Sequence, residues 1–301
     1  MAQADSLKSI FYALAANFSI AIAKLVAALV TNSGSMMAES IHSMADCGNQ
    51  ALLLLGLKKA KRPPDMKHPL GYGKAIYFWS FIVAIMLFSM GGLFSIYEGT
   101  HKLGDSEGLS SPLIAIGVLV FAIVAEGLSL AGCIREVNKV RGGRSFYRWF
   151  RETRQSELMV IFGEDIAALA GLVFALLAIG LTMITGNPVY DAMGSIGIGV
   201  LLLIIAWMVG IEVKDLIIGQ GVEPKRYEEM CDYLNEQDSI AEVFRVITLQ
   251  LGNDVMVAIK ARMQPQPSDV ALIKAINAAE EKFRAKFPEV VWCFFEPDLH
   301  D

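Results

Sequence analysis

The sequence predicts an α-helical membrane protein with six transmembrane helices, followed by a smaller α+β domain. Three observations lead to this fold class. The 301 residues are 54% hydrophobic and only 19% charged, with a mean hydropathy of +0.47, which is too apolar for an ordinary soluble protein. Six apolar stretches are long enough to cross roughly 30 Å of hydrocarbon. Beyond about residue 212 the hydropathy falls, so we expect a membrane domain over 1–211 and a separate domain over 212–301.

The six predicted spans cover residues 8–30, 36–57, 75–100, 112–136, 157–185 and 189–211. Lys8 precedes an apolar run that exceeds signal-peptide length and has no small-residue cleavage site after it, so we expect the first helix to be retained. Basic residues crowd the second-to-third and fourth-to-fifth connections, whereas the connections at 31–35, 101–111 and 186–188 contain only Lys102. The positive-inside rule therefore places both basic loops and both termini in the cytoplasm.

The C-terminal segment predicts two helices and three strands. Pro224 is well placed to start a helix over 225–237. Alternating apolar residues predict strands over 242–251 and 255–263, and a third over 290–296. A second helix begins after Ser268, a plausible N-cap. The order α-β-β-α-β suits a small sheet covered on one face by two helices.

Ionisable residues inside the apolar helices are the candidates for function. His42 and Asp46 lie four residues apart in the second span, and Glu164 and Asp165 interrupt the fifth. Each such group costs roughly 2.5–3.5 kcal/mol at bilayer depth even on a lenient scale. Residues at i and i+4 share one helix face, and imidazole with carboxylate suits Zn²⁺ or a neighbouring divalent metal. The pattern predicts a metal or proton site, with a polar contact between packed helices or a water-filled vestibule as the alternatives.

The similar depths of Asp46 and Asp165 in the membrane would allow their carboxylates to share one ion. Measured from the cytoplasmic helix ends at 1.5 Å per residue, Asp46 and Asp165 differ in depth by roughly 4–5 Å. Glu164 is turned about 100° from Asp165, so it either faces the site at an angle or pairs elsewhere. Glu126 lies in the middle of the fourth span, and we expect it to pair with Lys24 of the first helix or to relay protons rather than to bind metal.

Four longer motifs resemble one transporter family. The run Asn32-Ser-Gly-Ser-Met-Met-Ala-Glu-Ser-Ile-His42-Ser-Met-Ala-Asp46-Cys-Gly-Asn49-Gln50 is similar to the second-helix signature of the cation diffusion facilitator family of proton-coupled zinc transporters. Further similarity lies in Arg62-Pro-Pro-Asp65-Met-Lys-His68-Pro-Leu-Gly71-Tyr72-Gly73-Lys74, in Tyr97-Glu98-Gly99 and in Glu164-Asp165-Ile-Ala-Ala-Leu. The resemblance implies a homodimer with a cytoplasmic ferredoxin-like (metallochaperone-like) tail. It also implies His42, Asp46 and Asp165 as metal ligands.

The sequence departs from the family pattern at three places. Ile161 stands four residues before Asp165, where many relatives carry His or Asp, so Glu164, Glu126 or a water molecule would have to complete a tetrahedral shell. Asp65 and His68 align with an auxiliary loop site of some relatives, but Tyr72 replaces a further His, which favours a solvated loop without metal. The tail has only His300 beside Cys293, Glu296 and Asp298, which argues against a stable tail site.

The expected function is efflux of a divalent cation by exchange for protons. Ligands must lose protons before they bind metal, and the unperturbed pKa of histidine, about 6.5, lies in the physiological range. We expect Zn²⁺ as the cargo, with Mn²⁺, Fe²⁺, Co²⁺ or Cd²⁺ as alternatives, and no permanent cofactor. The expected setting is a lipid bilayer, in a bacterial inner membrane.

Other function classes are less well supported by the residues. The four cysteines are far apart and suggest neither disulfides nor a thiolate zinc cluster, and nucleic acid is an unexpected partner. An intramembrane metal-dependent hydrolase would need a metal and a carboxylate base, but the H-E-x-x-H motif is absent, so we expect no enzyme. A non-transporting scaffold or regulator with a degenerate metal site is the remaining alternative, which Ile161 keeps open.

Overall fold

The structure is a computed structural model that describes the backbone of residues 2–103 and 111–300 and the side chains of residues 17–103 and 111–300. Lys8, and most of the connection expected at 101–111, therefore lie outside the described side chains. The helices and strands follow in chain order: α1 (Ala2–Thr31), α2 (Gly34–Ala60), α3 (Ala75–Met86), a π-helical segment (Leu87–Leu93), α4 (Phe94–Lys102), α5 (Pro112–Val140), α6 (Phe146–Glu152), α7 (Ser156–Thr185), α8 (Val189–Ile218), α9 (Pro224–Asn235), β1 (Ile240–Leu251), β2 (Asp254–Met263), α10 (Asp269–Lys286) and β3 (Val290–Pro297).

The chain divides into two compact units, which interleave along the sequence. The membrane unit comprises Met1–Leu55, Trp79–Ser145 and Glu157–Glu212. The tail unit comprises Gly56–Phe78, Phe146–Ser156 and Val213–Asp301. The tail unit thus includes the basic stretch between the second and third predicted spans and the second half of the one between the fourth and fifth. The division into domains over 1–211 and 212–301 stays a prediction.

Within the part of the chain that the structure describes, four helical stretches are long and apolar enough to cross a membrane. They are Ala75–Lys102, Pro112–Val140, Ser156–Thr185 and Val189–Ile218, which supports an integral membrane protein. Six spans are not confirmed. Of α1, only Asn17–Thr31 is described with side chains, and it is a shorter apolar helix. The helix α2 has the expected length, but Glu39, His42 and Asp46 within it lower its hydropathy.

The core of the membrane unit combines bulky and small apolar residues. Its fully buried members include Met36 of α2, Leu119 of α5, Leu172 of α7 and Ile198 of α8. Alanines of α1, α2, α5 and α7 are buried in the same cluster. Small residues let helix backbones approach closely, which is how helices associate where lipid removes the hydrophobic driving force between them.

A carboxylate from α8 closes the N-terminus of α2. Asp191 accepts hydrogen bonds from the Gly34 amide at 2.6 Å, from the Ser35 amide at 3.3 Å and from the Ser33 hydroxyl at 2.7 Å, and it also contacts the Ser35 hydroxyl. Asn32, which precedes this turn, has a φ of 54°, a conformation that Asn tolerates better than most residues. Because the first amides of a helix have no partner within it, Asp191 serves as an N-cap supplied from another helix. We call this group the α2 cap.

The C-terminal part of the tail unit has the predicted order of elements. β1 pairs antiparallel with β2, and β2 pairs parallel with β3, in the sheet order β1-β2-β3. Ser268 caps α10 by accepting from the Ala271 amide at 3.2 Å. Alternate residues of β2 share one core with both helices, as predicted; the buried members include Val257, Ile259, Met230, Leu234, Phe283 and Phe287.

Within the tail unit, the turn between β1 and β2 packs against the segment that leads into α3. The Gly252 amide donates to the Tyr77 hydroxyl at 3.0 Å, and that hydroxyl lies 3.4 Å from the Gly252 carbonyl oxygen, to which it donates. A Cβ at Gly73 would collide with the carbonyl oxygen of Leu251. Gly73 is therefore required by close backbone approach. We call this contact the hairpin dock.

Candidate metal site

One face of α2 carries the first two predicted ligands. His42 is fully buried, and its Nε2 lies 3.6 Å from Oδ2 of Asp46, whose side chain is 16% exposed. The i, i+4 spacing places both on the same helix face. Neither ring nitrogen of His42 has a hydrogen-bond partner, and Oδ1 of Asp46 is likewise buried without one. Buried polar atoms normally have partners, so these atoms are available to bind a ligand.

Four carboxylates from three helices line a cavity of about 30 Å³. Asp46 comes from α2, Glu126 from α5, and Glu164 and Asp165 from α7. The remaining lining residues are mostly polar or small: Asn17, Ser43, Gln50, Ser129, Ile161 and Ala168. A volume of this size suits one or two waters or a single ion. The structure thus brings the acidic residues predicted from different helices to one place.

The two acidic residues of α7 have different partners. Oδ1 of Asp165 accepts a long hydrogen bond of 3.5 Å from the Ser129 hydroxyl, and its Oδ2 is buried without a partner. Oε1 of Glu164 accepts a hydrogen bond of 2.6 Å from the Asn49 amide group. Glu164 therefore both lines the cavity and pairs elsewhere. Ile161 also lines the cavity, and its side chain contributes no donor atom.

The ligand set is not closed. Among the residues with described side chains, no three His, Cys, Asp or Glu residues lie close enough to hold one ion together. His42 contacts Asp46 but is not among the residues that line the cavity. A common ion would thus require His42, Asp46 and Asp165 to move closer together. Their joint ligation stays a prediction.

The predicted pair between Lys24 and Glu126 is wrong. Lys24 is fully buried and its Nζ lies 3.3 Å from Oε2 of Glu39, while it also donates to the Ser43 hydroxyl at 2.6 Å. Glu126 instead lines the acidic cavity. Helix packing thus pairs Lys24 with a carboxylate of α2 instead of the one on α5.

The loop residues Asp65 and His68 form a local turn. The Asp65 carboxylate accepts from the amides of Lys67 and His68 at 2.9 and 2.7 Å and from the Tyr72 hydroxyl at 2.6 Å. The hydrogen bond from Tyr72 holds the pKa of Asp65 below its usual range. The imidazole of His68 packs on the Tyr72 ring with centroids 4.2 Å apart. These contacts fix both side chains in the turn, and a loop without metal stays a prediction.

Two buried acidic residues have roles that the sequence did not assign. Glu39 was part of the quoted second-helix run, and its spacing of three residues before His42 was the available signal. Asp191 sits in the sixth span with no polar neighbour in sequence that would indicate its contact with α2. No local pattern could have revealed the α2 cap, because its two halves are 157 residues apart.

Comparison with known proteins places most of the chain in one family. Residues 10–218 match the sequence profile described as the cation efflux transmembrane domain. The human mitochondrial protein named proton-coupled zinc antiporter SLC30A9 is 35% identical over 231 residues, which is 76% of this chain and 41% of that protein. Metal tolerance protein C4 of Arabidopsis thaliana is 31% identical over 239 residues, covering 79% of this chain and 52% of that protein.

A bacterial relative is matched over more of its own length. The cation-efflux pump FieF of Escherichia coli is 22% identical over 269 residues, 88% of this chain and 83% of that protein. The match to the human protein, by contrast, spans about two fifths of that relative's length.

Proposed function

The chain belongs to the cation diffusion facilitator family, and we propose that it exports a divalent metal cation, Zn²⁺ in the first place, in exchange for protons. This family is a transporter family, so the proposed activity is movement of an ion and not conversion of a substrate. The alternatives Mn²⁺, Fe²⁺, Co²⁺ and Cd²⁺ would be further cargo of the same site.

The observation that carries the proposal is the small acidic cavity inside the membrane unit. Asp46, Glu126, Glu164 and Asp165 line about 30 Å³ of space, and four ionised carboxylates so close together repel one another strongly in a medium of low dielectric. Bound protons or a bound divalent cation relieve that repulsion. Because the same carboxylate oxygens bind either protons or the metal ion, binding of metal releases protons. This is the chemistry of an exchanger.

Zn²⁺ is favoured by the mixed donor set. An imidazole from His42 beside carboxylates from Asp46 and Asp165 matches the nitrogen and oxygen ligands that Zn²⁺ accepts at about 2 Å. Magnesium or calcium would favour oxygen ligands alone. The printed name of the human relative, a proton-coupled zinc antiporter, also supports this choice.

Closure of the site is part of the proposed cycle. We assign His42, Asp46 and Asp165 as ligands, with Glu126, Glu164 or a water as the fourth, since Ile161 offers no donor. Rocking of α2 against α7 would bring the three side chains together around the ion, as bundles rock in other secondary transporters. Ion release would follow when protons replace the metal on the other side.

The remaining assignments follow the sequence. The basic connections place both termini in the cytoplasm, so export would run from the cytoplasm outward. We further propose that the protein acts as a homodimer, in a bacterial inner membrane. Cysteines introduced one at a time into the connections would test the orientation, through labelling by an impermeant thiol reagent in intact cells.

The test of the proposed function is metal flux in vesicles that contain the purified protein. Zinc uptake should depend on an opposing proton gradient, and Asp46→Ala or Asp165→Ala should abolish it. Glu136→Ala is the matched control, because Glu136 is an exposed carboxylate of α5 that pairs with Lys139. Normal exchange in either aspartate variant would refute the shared site.

A non-transporting scaffold is the second candidate, and two observations favour it: Ile161 at a ligand position, and the open arrangement of the described ligands. The same assay separates the two. A scaffold would show neither zinc exchange nor zinc binding by calorimetry, whereas a transporter would show both.

A further inference from the structure

A buried ion pair lies next to the acidic cavity on the same helix. Lys24 of α1 and Glu39 of α2 are both fully buried, with Nζ and Oε2 3.3 Å apart, and Lys24 also donates to Ser43 at 2.6 Å. Among the described residues of the chain, Lys24 is the one buried lysine or arginine. An ammonium group kept at this depth is costly, so its retention requires an explanation.

The pair extends the polar face of α2 away from the cavity. Ser43, Asp46 and Gln50 line the cavity, and Glu39 continues the same i, i+3, i+4 pattern by one more turn. Glu39 is five residues from the start of α2 at Gly34, and Asp46 is seven residues further along. At 1.5 Å per residue, Glu39 lies about 10 Å along the helix axis from Asp46, toward the α1–α2 turn. Lys24 reaches back from Glu39 to Ser43 at the edge of the cavity.

The second oxygen of Glu39 is held in place without a partner. Oε1 of Glu39 is buried and accepts no hydrogen bond. It faces Gly171 of α7, where any Cβ would collide with it. The glycine thus makes room for the carboxylate that pairs with Lys24, one turn before His42.

We propose that Lys24 is a resident cation that blocks the path from the acidic cavity toward the α1–α2 turn, and that it must part from Glu39 before a metal ion passes. The inference rests on the proposed transport function. In the present arrangement a divalent ion moving along α2 meets the ammonium of Lys24 first and is repelled. Once Lys24 parts from Glu39, a carboxylate becomes available beside His42 and attracts the ion.

The electrostatic consequence is a coupling between the cavity and the pair. A divalent ion held by Asp46 and His42 adds positive charge close to Ser43, to which Lys24 donates at 2.6 Å. The added charge repels the ammonium of Lys24 and weakens its contacts with Glu39 and Ser43. A single proton on the same carboxylates adds half that charge. The ammonium of Lys24 is therefore released more readily beside a metal-loaded cavity than beside a singly protonated one.

The experiment removes both charges together, because removing one alone would leave the other buried and unpaired. Purified Lys24→Met/Glu39→Gln protein in vesicles should transport zinc without a pH gradient. The ratio of this uncoupled zinc flux to gradient-driven flux should rise by about tenfold, within the usual range of coupling between two sites.

The matched control is Lys139→Met/Glu136→Gln, which neutralises an exposed ion pair of 2.6 Å on α5 and should leave the flux ratio unchanged. Ser43→Ala, which removes one partner of Lys24 and keeps both charges, should raise the ratio in the same direction by a smaller factor. It serves as the second test if the double variant fails to fold.

The outcomes separate this inference from the proposed function. If the parent protein exchanges zinc and both Lys24→Met/Glu39→Gln and Ser43→Ala remain fully dependent on the gradient, the pair is only a structural contact and the inference is overturned. If the parent protein itself moves no zinc, the proposed function has failed and the inference fails with it.

Discussion

His42 presents two buried ring nitrogens without partners beside Asp46. Nitrogen is the donor that shifts the preference of an acidic site from hard ions to Zn²⁺. His42→Asp should therefore raise the relative transport of Mn²⁺ while Zn²⁺ transport falls. Flux of the two ions, measured separately in vesicles, checks this. An unchanged ratio would argue against His42 as a ligand.

Substitution of Glu126 and of Glu164 can show which of the two is the fourth ligand. Glu164 already accepts a hydrogen bond from Asn49, and glutamine at this position could accept the same bond. Glu126 lines the cavity from α5. We expect Glu126→Gln to weaken zinc binding by at least about tenfold and Glu164→Gln to weaken it less. Calorimetry on the two variants gives the order, and the reverse order would identify Glu164 as the ligand.

At this scale the sequence predicts which residues matter better than it predicts their partners. Asp46 and Asp165 come from separate helices and line one cavity, as their similar depth suggested. Lys24 pairs with Glu39 and not with Glu126, because a mid-span position does not show which neighbouring helix a side chain faces. Glu39 and Glu126 could be ranked only once the packing of α1, α2 and α5 was known.

At the scale of elements, the α2 cap ties the start of the ligand-bearing helix to α8. Loss of an N-cap side chain costs about 0.5–2 kcal/mol. Asp191→Ala should lower the stability of the detergent-solubilised protein by about that amount. Asp191→Asn should cost less, since its amide oxygen can still accept from Gly34 and Ser35. Thermal unfolding followed by circular dichroism measures both, and equal losses would contradict a capping role.

The hairpin dock leads to a second prediction at the scale of elements. Gly73→Ala places a Cβ against the Leu251 carbonyl, so the β1–β2 turn must shift, at a cost of about 1–3 kcal/mol. Gly127→Ala on α5 is the control, because a Cβ there meets nothing within 4 Å and alanine favours a helix by about 1 kcal/mol over glycine. Hydrogen exchange of the turn amides should rise only in the first variant.

Element types were predictable where the periodicity was strong. The strands β1, β2 and β3 begin and end within two residues of their predicted bounds, because alternation is a direct sign of a half-buried strand. The π-helical segment at Leu87–Leu93 was not predictable. It shifts the register within an otherwise apolar helix and leaves no mark on the hydropathy.

At the scale of the whole molecule, a moderate change of pH should alter the rate of transport without lowering the stability of the tail unit. Hydrogen bonds from Tyr72 and Lys260 hold the pKa values of Asp65 and Asp298 below their usual range. A carboxyl with a lowered pKa stabilises the fold above its unfolded pKa, about 3.9, and loses this contribution as the pH falls through its folded pKa. Neither group therefore titrates between about pH 5.5 and 8.

Zinc exchange should accordingly change with pH in that range without any loss of tail structure. Circular dichroism melting curves recorded at several pH values beside the flux assay would check this. A fall in the melting temperature that tracks the fall in flux would instead point to acid unfolding of the tail unit.

Compact contacts group segments that are far apart in the sequence. Residues 56–78 and 146–156 group with 213–301, although they lie between apolar spans. Their packing depends on contacts such as Tyr77 with Gly252 and Arg154 with Gly221, which join positions 175 and 67 residues apart. No local periodicity records such distant pairs.

Because Gly73 and Tyr77 pack on the β1–β2 turn, the last ninety or so residues cannot be regarded as a detachable appendage. A chain shortened after Glu212 would leave the Tyr77 hydroxyl and the Arg154 guanidinium without the backbone groups they bind in the intact protein. Loss of transport after such a deletion would then report damage at the ends of the remaining helices. Substitution at Gly73 is the cleaner way to ask what the tail contributes.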